Sequence, residues 1–235
     1  VKGIYEEDTF KLGYCSHLIS RVNVFLQNSV IQKAFGLNID NKKFNNINDI
    51  INEFIDTPKS KILRIGFEEL SYDFGIREII VDFISLKLLE KSRRKQFQTY
   101  PLVLFIDEAH QFLNKRISAD DDSSFYVQNI EFIAKEARKN GLFLCLATQM
   151  PRDIPIGTLS QMGTFIVHRL INEQDKKAIE NAVSSASRNS LSFLPILGEG
   201  EALLVGVDFP MPLLIKINEP SVKPNSKTPK FSRTR

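Results

Sequence analysis

Nowhere among its 235 residues does this chain read Gly-x-x-x-x-Gly-Lys followed by Ser or Thr. The glycines at 3, 13, 36, 66, 75 and 141 lack a following Lys-Ser or Lys-Thr, so no loop offers the amide nest and lysine that cradle phosphates. Cysteine is scarce. Cys15 and Cys145 stand alone, without metal or redox spacing, and the apolar run around Cys145 predicts buried thiols. No apolar run approaches the roughly 18 residues of a membrane span; the longest are PLVLFI and GLFLCLA. No signal-peptide pattern opens the chain, which leads us to expect a cytoplasmic protein with no membrane partner. The first residue is Val1, not Met, and the expectation is the carboxyl part of a longer chain.

The net charge of +3 is unevenly placed. Lys223, Lys227, Lys230, Arg233 and Arg235 fall after Ser221 with no acid among them, and subtracting these five from +3 leaves −2 for the rest. With Pro220, Pro224 and Pro229 interleaved, residues 220–235 read as a flexible basic tail, a solvated terminus before a nucleic-acid contact. The charge pattern carries no global basic signature.

What is present is a periodic α/β pattern. Residues 1–57 read as a small helical insertion or subdomain, with VIQKAFGLNI and INDIINEFI as short amphipathic helices. Residues 58–219 carry the main core. KILRIGF, from Lys61, reads as a strand. A helix follows over about 76–91, with Ile79, Ile80, Phe83, Ile84, Leu86 and Leu88 forming a wide apolar face. LVLFI and LFLCLAT are apolar strands separated by a helix over about 124–139 that Gly141 ends. Asp120, Asp121 and Asp122 read as loop and helix N-terminal charge, not a metal cluster. A short helix near 156–161, the strand TFIVHRL, a helix over about 173–183, and the strands EALLVGV and MPLLIKI complete the chain. Strands alternating with helices predict βαβ units in a mostly parallel sheet, with the last two strands pairing as a hairpin at its edge.

The stretch LVLFIDEAHQFL drives an apolar strand into two adjacent acids, Asp107 and Glu108. Ligands in open α/β sheets sit at the carboxyl ends of strands, and two desolvated carboxylates need a compensating charge or a proton-transfer task. The arrangement suits a nucleotide site of Walker B type. There Asp107 holds Mg²⁺, usually through water, and Glu108 polarises the water that attacks the γ-phosphate of ATP. The plainer alternative is a pair of acids that only cap the next helix. Thr148 and Gln149 end the next apolar strand in the same way, which favours the nucleotide reading.

LVLFIDEAHQFL, LFLCLATQMPRDIP, GTLSQMGTFIVHRLINEQD and GEGEALLVGVDFPMPLLIKI resemble, in order and spacing, the carboxyl half of the HerA-type DNA translocases of the HerA/FtsK superfamily. The resemblance covers about residues 61–218. It implies a RecA-like P-loop NTPase core, here without its P-loop segment, in a homo-hexameric ring that moves duplex DNA, often beside a nuclease or other effector. By position it implies Asp107 and Glu108 as the Walker B pair, Gln149 as the sensor, and Arg169 as the arginine that reaches the neighbouring subunit's nucleotide. A guanidinium suits that task because it stays charged and grips phosphate oxygens as a fork. The alternative for Arg169 is a structural ion pair at a strand end.

The chain also departs from that pattern. Many relatives carry Arg directly after the sensor Gln; here Met150 stands there, with Arg152 two residues on as the candidate substitute. DEAH also resembles the equivalent motif of superfamily 2 helicases, but no Gln-Arg-x-Gly-Arg-x-Gly-Arg stretch follows. His110 reads as a helix-start residue near the site, not as a catalytic base. The missing P-loop is the largest departure. Its bland explanation is a P-loop lying upstream in a longer chain, and the alternative is a non-hydrolysing paralogue. Two rival functions stay open: a conjugation or secretion motor of the same superfamily, and a non-catalytic ring scaffold for an effector in an antiphage defence assembly.

Overall fold

The computed structural model describes residues 9–27, 32, 46–57, 61–70, 75–113, 127–183, 185–207, 209 and 211–222. The predicted helix VIQKAFGLNI (apart from position 32), the three aspartates 120–122 and the tail beyond residue 222 lie outside them. In chain order the main elements are α1 (Thr9–Gln27), α2 (Ile47–Asp56), α3 (Ile76–Arg93), β1 (Leu102–Ile106), α4 (Gln128–Glu136), β2 (Leu142–Leu146), α5 (Ile156–Leu159), β3 (Thr164–His168), α6 (Glu173–Ala182), β4 (Glu201–Gly206) and β5 (Leu213–Lys216). Short 3₁₀ turns follow β1 (Ala109–Gln111), α4 (Ala137–Asn140) and β2 (Pro151–Asp153).

β1 and β2 pair in parallel, with Leu102 opposite Leu142 and Ile106 opposite Leu146. The parallel sheet flanked by helices expected from the sequence is therefore present, and its two strands are the pair that ends in polar residues. α3 and α4 cover one face. Val81, Ile84, Leu88 and Leu89 of α3 are buried at helical spacing, and Ile133, Ala137 and Leu142 join Ile84, Leu88 and Leu89 in one core cluster. A second cluster sits beneath the carboxyl ends of the strands, around Ile106, Ala109, Ile130 and Ile154. Gly141 fixes the entry into β2 at φ +85°, where a side chain would be strained, and an added Cβ would lie 2.1 Å from the carbonyl oxygen of Phe97.

β4 and β5 form the expected antiparallel pair, but β4 also pairs with β3, in the order β3-β4-β5. Among the described residues this is a sheet separate from β1-β2, although Phe165 of β3 packs against the clusters beneath both. TFIVH thus finds its partner later in the chain by antiparallel pairing, and among the described residues β2 and β3 each keep an unpaired edge.

Two sequence expectations are corrected. Residues 62–67 do not form a strand, because no neighbouring strand among the described residues bonds to them. They run instead along a groove of about 1140 Å³ whose opposite wall includes β1 and α3. Cys15 and Cys145 are exposed. Cys145 lies on the face of β1-β2 turned away from α3 and α4, with the exposed Val103, Phe105 and Phe143. Partial burial there still pushes the Cys145 thiol above its usual range.

Candidate active site at the carboxyl ends of β1 and β2

Backbone hydrogen bonds carry the β1–β2 pairing past the strand ends. Ala147 N–H donates to Ile106 O at 2.9 Å, and Ala109 N–H donates to Ala147 O at 2.9 Å. Asp107 and Glu108 occupy the turn between these two bonds. Glu108 is left-handed, at φ 47° and ψ 45°, and the only other non-glycine residue with positive φ among those described is Lys95. For a residue with a side chain this conformation costs about 1–2 kcal/mol. The surroundings hold it in place. Glu108 N–H donates to Asp107 Oδ1 at 2.9 Å, and the following 3₁₀ turn is anchored by the fully buried Ala109.

Gln149, just beyond β2, donates from Nε2 to Glu108 Oε1 at 2.6 Å. Two positions 41 residues apart thus meet at the ends of adjacent parallel strands. Glu108 Oε2 is buried and has no aligned hydrogen bond; His110 Nδ1 lies 3.3 Å from it. The same Nδ1 lies 3.1 Å from Thr148 Oγ1, which accepts Met150 N–H at 3.0 Å. The site is wetter than two adjacent acids after an apolar strand suggested: Asp107 is exposed and Glu108 half-buried.

Asp107 uses Oδ1 for the Glu108 amide, which leaves Oδ2 for a hard cation or its water. Mg²⁺ takes one or two protein carboxylates and fills its octahedron with water and phosphate oxygens, so one free carboxylate oxygen at this edge fits that ion. Among the described residues no group of three or more His, Cys, Asp or Glu side chains could hold a metal without such help.

The other two candidates stand apart from this cluster. Arg152 is tied to α6: its Nη1 donates to Asp175 Oδ2 and its amide to Asp175 Oδ1, both at 3.2 Å. Asp175 is buried, as is the neighbouring Asp153. Arg169, one residue past β3, is exposed and makes no hydrogen bond or ion pair among the described residues. The sequence reading missed the contact of His110 with Glu108. Its only signal was the Glu-Ala-His spacing, and that spacing returns the ring beside the carboxylate only once Glu108 is left-handed.

Known proteins resemble parts of this chain. A probable helicase of Methanocaldococcus jannaschii is 34% identical over 144 residues, covering 61% of this chain and 25% of that protein. The DNA double-strand break repair helicase HerA of Sulfurisphaera tokodaii is 27% identical over 240 residues, covering 93% of this chain and 48% of that one. This chain spans less than half the length of these curated relatives. The crystal structure of the DNA-packaging ATPase of Sulfolobus turreted icosahedral virus superposes on 61% of the chain and 64% of its own, with 20% identity and a TM-score of 0.47. No helix among the described residues is long and apolar enough to cross a membrane. Residues 96–220, just over half of the chain and the segment that contains Asp107, Glu108, Gln149 and Arg169, match the family described as helicase HerA-like C-terminal, and the chain belongs to that family.

Proposed function

We propose that this chain is the carboxyl part of a hexameric ATPase that moves along or unwinds duplex DNA, working with a nuclease or other effector. Residues 58–219 would be its core. The observation that carries the reading is the contact of Gln149 with Glu108 across the ends of two parallel strands. It puts a neutral amide beside a carboxylate at the edge where an α/β sheet binds its ligand. The relatives named as DNA double-strand break repair helicases support duplex DNA as the polymer.

In this reading Asp107 would hold Mg²⁺, usually through water, and the ion would offset charge on the phosphates. Glu108 orients and polarises the attacking water. Gln149 reports whether the γ-phosphate is present, because its amide can exchange the Glu108 oxygen for a phosphate oxygen or the water. Arg169, exposed and without a partner among the described residues, has a guanidinium free to reach a neighbouring subunit's nucleotide. Arg152 is the second candidate for that role, less favoured because Asp175 already occupies it. The phosphate cradle would come from a Gly-rich loop outside these 235 residues.

Glu108→Gln in the complete, assembled protein tests the reading. ATP affinity should persist while turnover falls by a factor of about 10² or more. Turnover within about threefold of wild type overturns the assignment of Glu108. The alternative is a non-hydrolysing ring scaffold for an effector. DNA-stimulated ATP turnover by the complete protein separates motor from scaffold.

A further inference from the structure

We propose that His110 is a positioning residue that braces Glu108 against the end of β2 through Thr148. The inference rests on the reading of Glu108 as the group that polarises the attacking water. A carboxylate serves that task only if its plane is fixed, since the water must meet a lone pair at hydrogen-bond distance. Gln149 cannot fix it alone, being exposed and long, with several rotatable bonds of its own.

The second oxygen supplies the missing restraint. Glu108 Oε2 is buried, and His110 Nδ1 lies between it and Thr148 Oγ1, at 3.3 and 3.1 Å. With its proton on Nδ1, the ring donates to Thr148 Oγ1 and sets its electropositive N–H edge 3.3 Å from Oε2, a close charge–dipole contact and not an aligned hydrogen bond. Both ends of this bridge are themselves held. Met150 N–H fixes the Thr148 hydroxyl at 3.0 Å. On the other side, Gln111 N–H bonds Glu108 O at 2.8 Å and Leu113 N–H bonds Ala109 O at 2.9 Å, which sets the backbone that carries His110. The imidazole is largely buried, with 18% of its side chain exposed, so it does not swing freely.

The carboxylate therefore has one rigid and one mobile support. His110, fixed by Thr148, stands against Oε2 on the protein side, and Gln149 hydrogen-bonds Oε1 on the solvent side. Gln149 can leave to meet a nucleotide without releasing Glu108. A displacement of residues 148–150 would reach the carboxylate through the imidazole.

The test is steady-state ATP turnover and nucleotide affinity of the complete protein carrying His110→Ala, His110→Asn, Thr148→Val or both His110→Ala and Thr148→Val. His110→Ala should lower kcat about tenfold, with KM and the Kd for a fluorescent ATP analogue within about twofold of wild type. His110→Asn, which restores a donor near the position of Nδ1, should recover most of that loss. The double variant should be no slower than His110→Ala alone, because both substitutions remove the same brace. A kcat for His110→Ala within twofold of wild type, or losses that multiply in the double variant, overturns the proposal. If His110→Ala fails to fold, Thr148→Val decides: a kcat as high as wild type overturns the brace, and a reduced kcat with unchanged nucleotide affinity upholds it. Glu108→Gln measured alongside separates the two readings. If it stays active, the role of Glu108 falls and the brace with it; if it is inactive while His110→Ala is normal, only the brace falls.

Discussion

Gln149 Nε2 and Glu108 Oε1 lie 2.6 Å apart, a charge-assisted hydrogen bond between the ends of two adjacent parallel strands. A neutral donor in this position can be given up for a phosphate oxygen more readily than a cation could, since no charge pair is broken. Gln149→Ala should therefore keep nucleotide affinity and lower turnover, by about 10-fold to 100-fold for one polar contact at the reacting centre. Gln149→Glu should be worse than Gln149→Ala, because it sets a second carboxylate against Glu108. Comparing the kcat of the two variants tests this. Equal activity would mean that Gln149 does not face the working carboxylate.

Much of this site was legible in the sequence, because a continuous apolar run of five residues ending in polar groups has few readings other than a buried parallel strand. LVLFI and LFLCL each show that pattern, and the register places their polar ends together. Gly141 was legible for a similar reason, as a helix stop followed at once by a strand. Contacts that depend on layers or on backbone outliers were not. Cys145 sits in an apolar run yet is exposed, because burial of a strand face is decided by what packs on it. KILRIGF has strand composition, but a strand also needs an edge to pair with. The bond of Arg152 to Asp175 joins residues 23 apart whose spacing follows no helical or strand period.

Gly141 gives a stability test independent of function. Its φ is +85°, and a Cβ added there would sit 2.1 Å from Phe97 O, so a methyl group fits only if backbone moves. Gly141→Ala should cost about 2 kcal/mol or more, read as a lower midpoint in urea unfolding of the complete protein. Gly163→Ala is the control, since the nearest atom to its Cβ would be a Val207 methyl carbon at an ordinary 3.7 Å.

The uncovered face of β1-β2 predicts behaviour in solution. Val103 is 59% exposed, Phe105 60% and Phe143 39%, and Val103 and Phe143 are direct register partners. These 235 residues expressed alone should bind a hydrophobic dye and aggregate, since among the described residues both edges of the two-stranded sheet are unpaired. Phe105→Ser should raise the soluble fraction. A chain that melts cooperatively as a soluble monomer would show that this face is stable without cover.

Cys145 gives a pH test on the same face. Partial burial holds its thiol above the usual range, which favours the neutral form and lowers the reactive thiolate fraction at any pH below its pKa. Alkylation at about pH 8 should be slower in the folded protein than in urea, and the ratio of the two rates should shrink as the pH rises through the folded pKa. A ratio that stays constant with pH would assign the protection to steric cover instead.

Arg169 tests the ring. An arginine that serves the neighbour's nucleotide belongs to one subunit and acts on the next, so its loss should stop hydrolysis without unfolding the subunit that carries it. Its exposed position, with no partner among the described residues, agrees with that expectation of intact folding. Mixing subunits is more informative than any single variant. Arg169→Ala subunits keep their own Asp107 and Glu108, and Glu108→Gln subunits keep their own Arg169. In a mixed ring, an interface between an Arg169-bearing donor and a Glu108-bearing acceptor is complete, and partial activity should return. An arginine of this kind can contribute about 10³ in rate, so a few complete interfaces should stand out above two inactive parents. Subunit exchange is checked first with differently labelled proteins, and hydrolysis is then followed in a single turnover, so that coordination around the ring does not hide isolated working sites. If exchange occurs and hydrolysis stays at the parental level, Arg169 does not act across the interface. Arg152 is then tested in the same mixture, with Asp175→Asn alongside to separate loss of its guanidinium from loss of its buried ion pair.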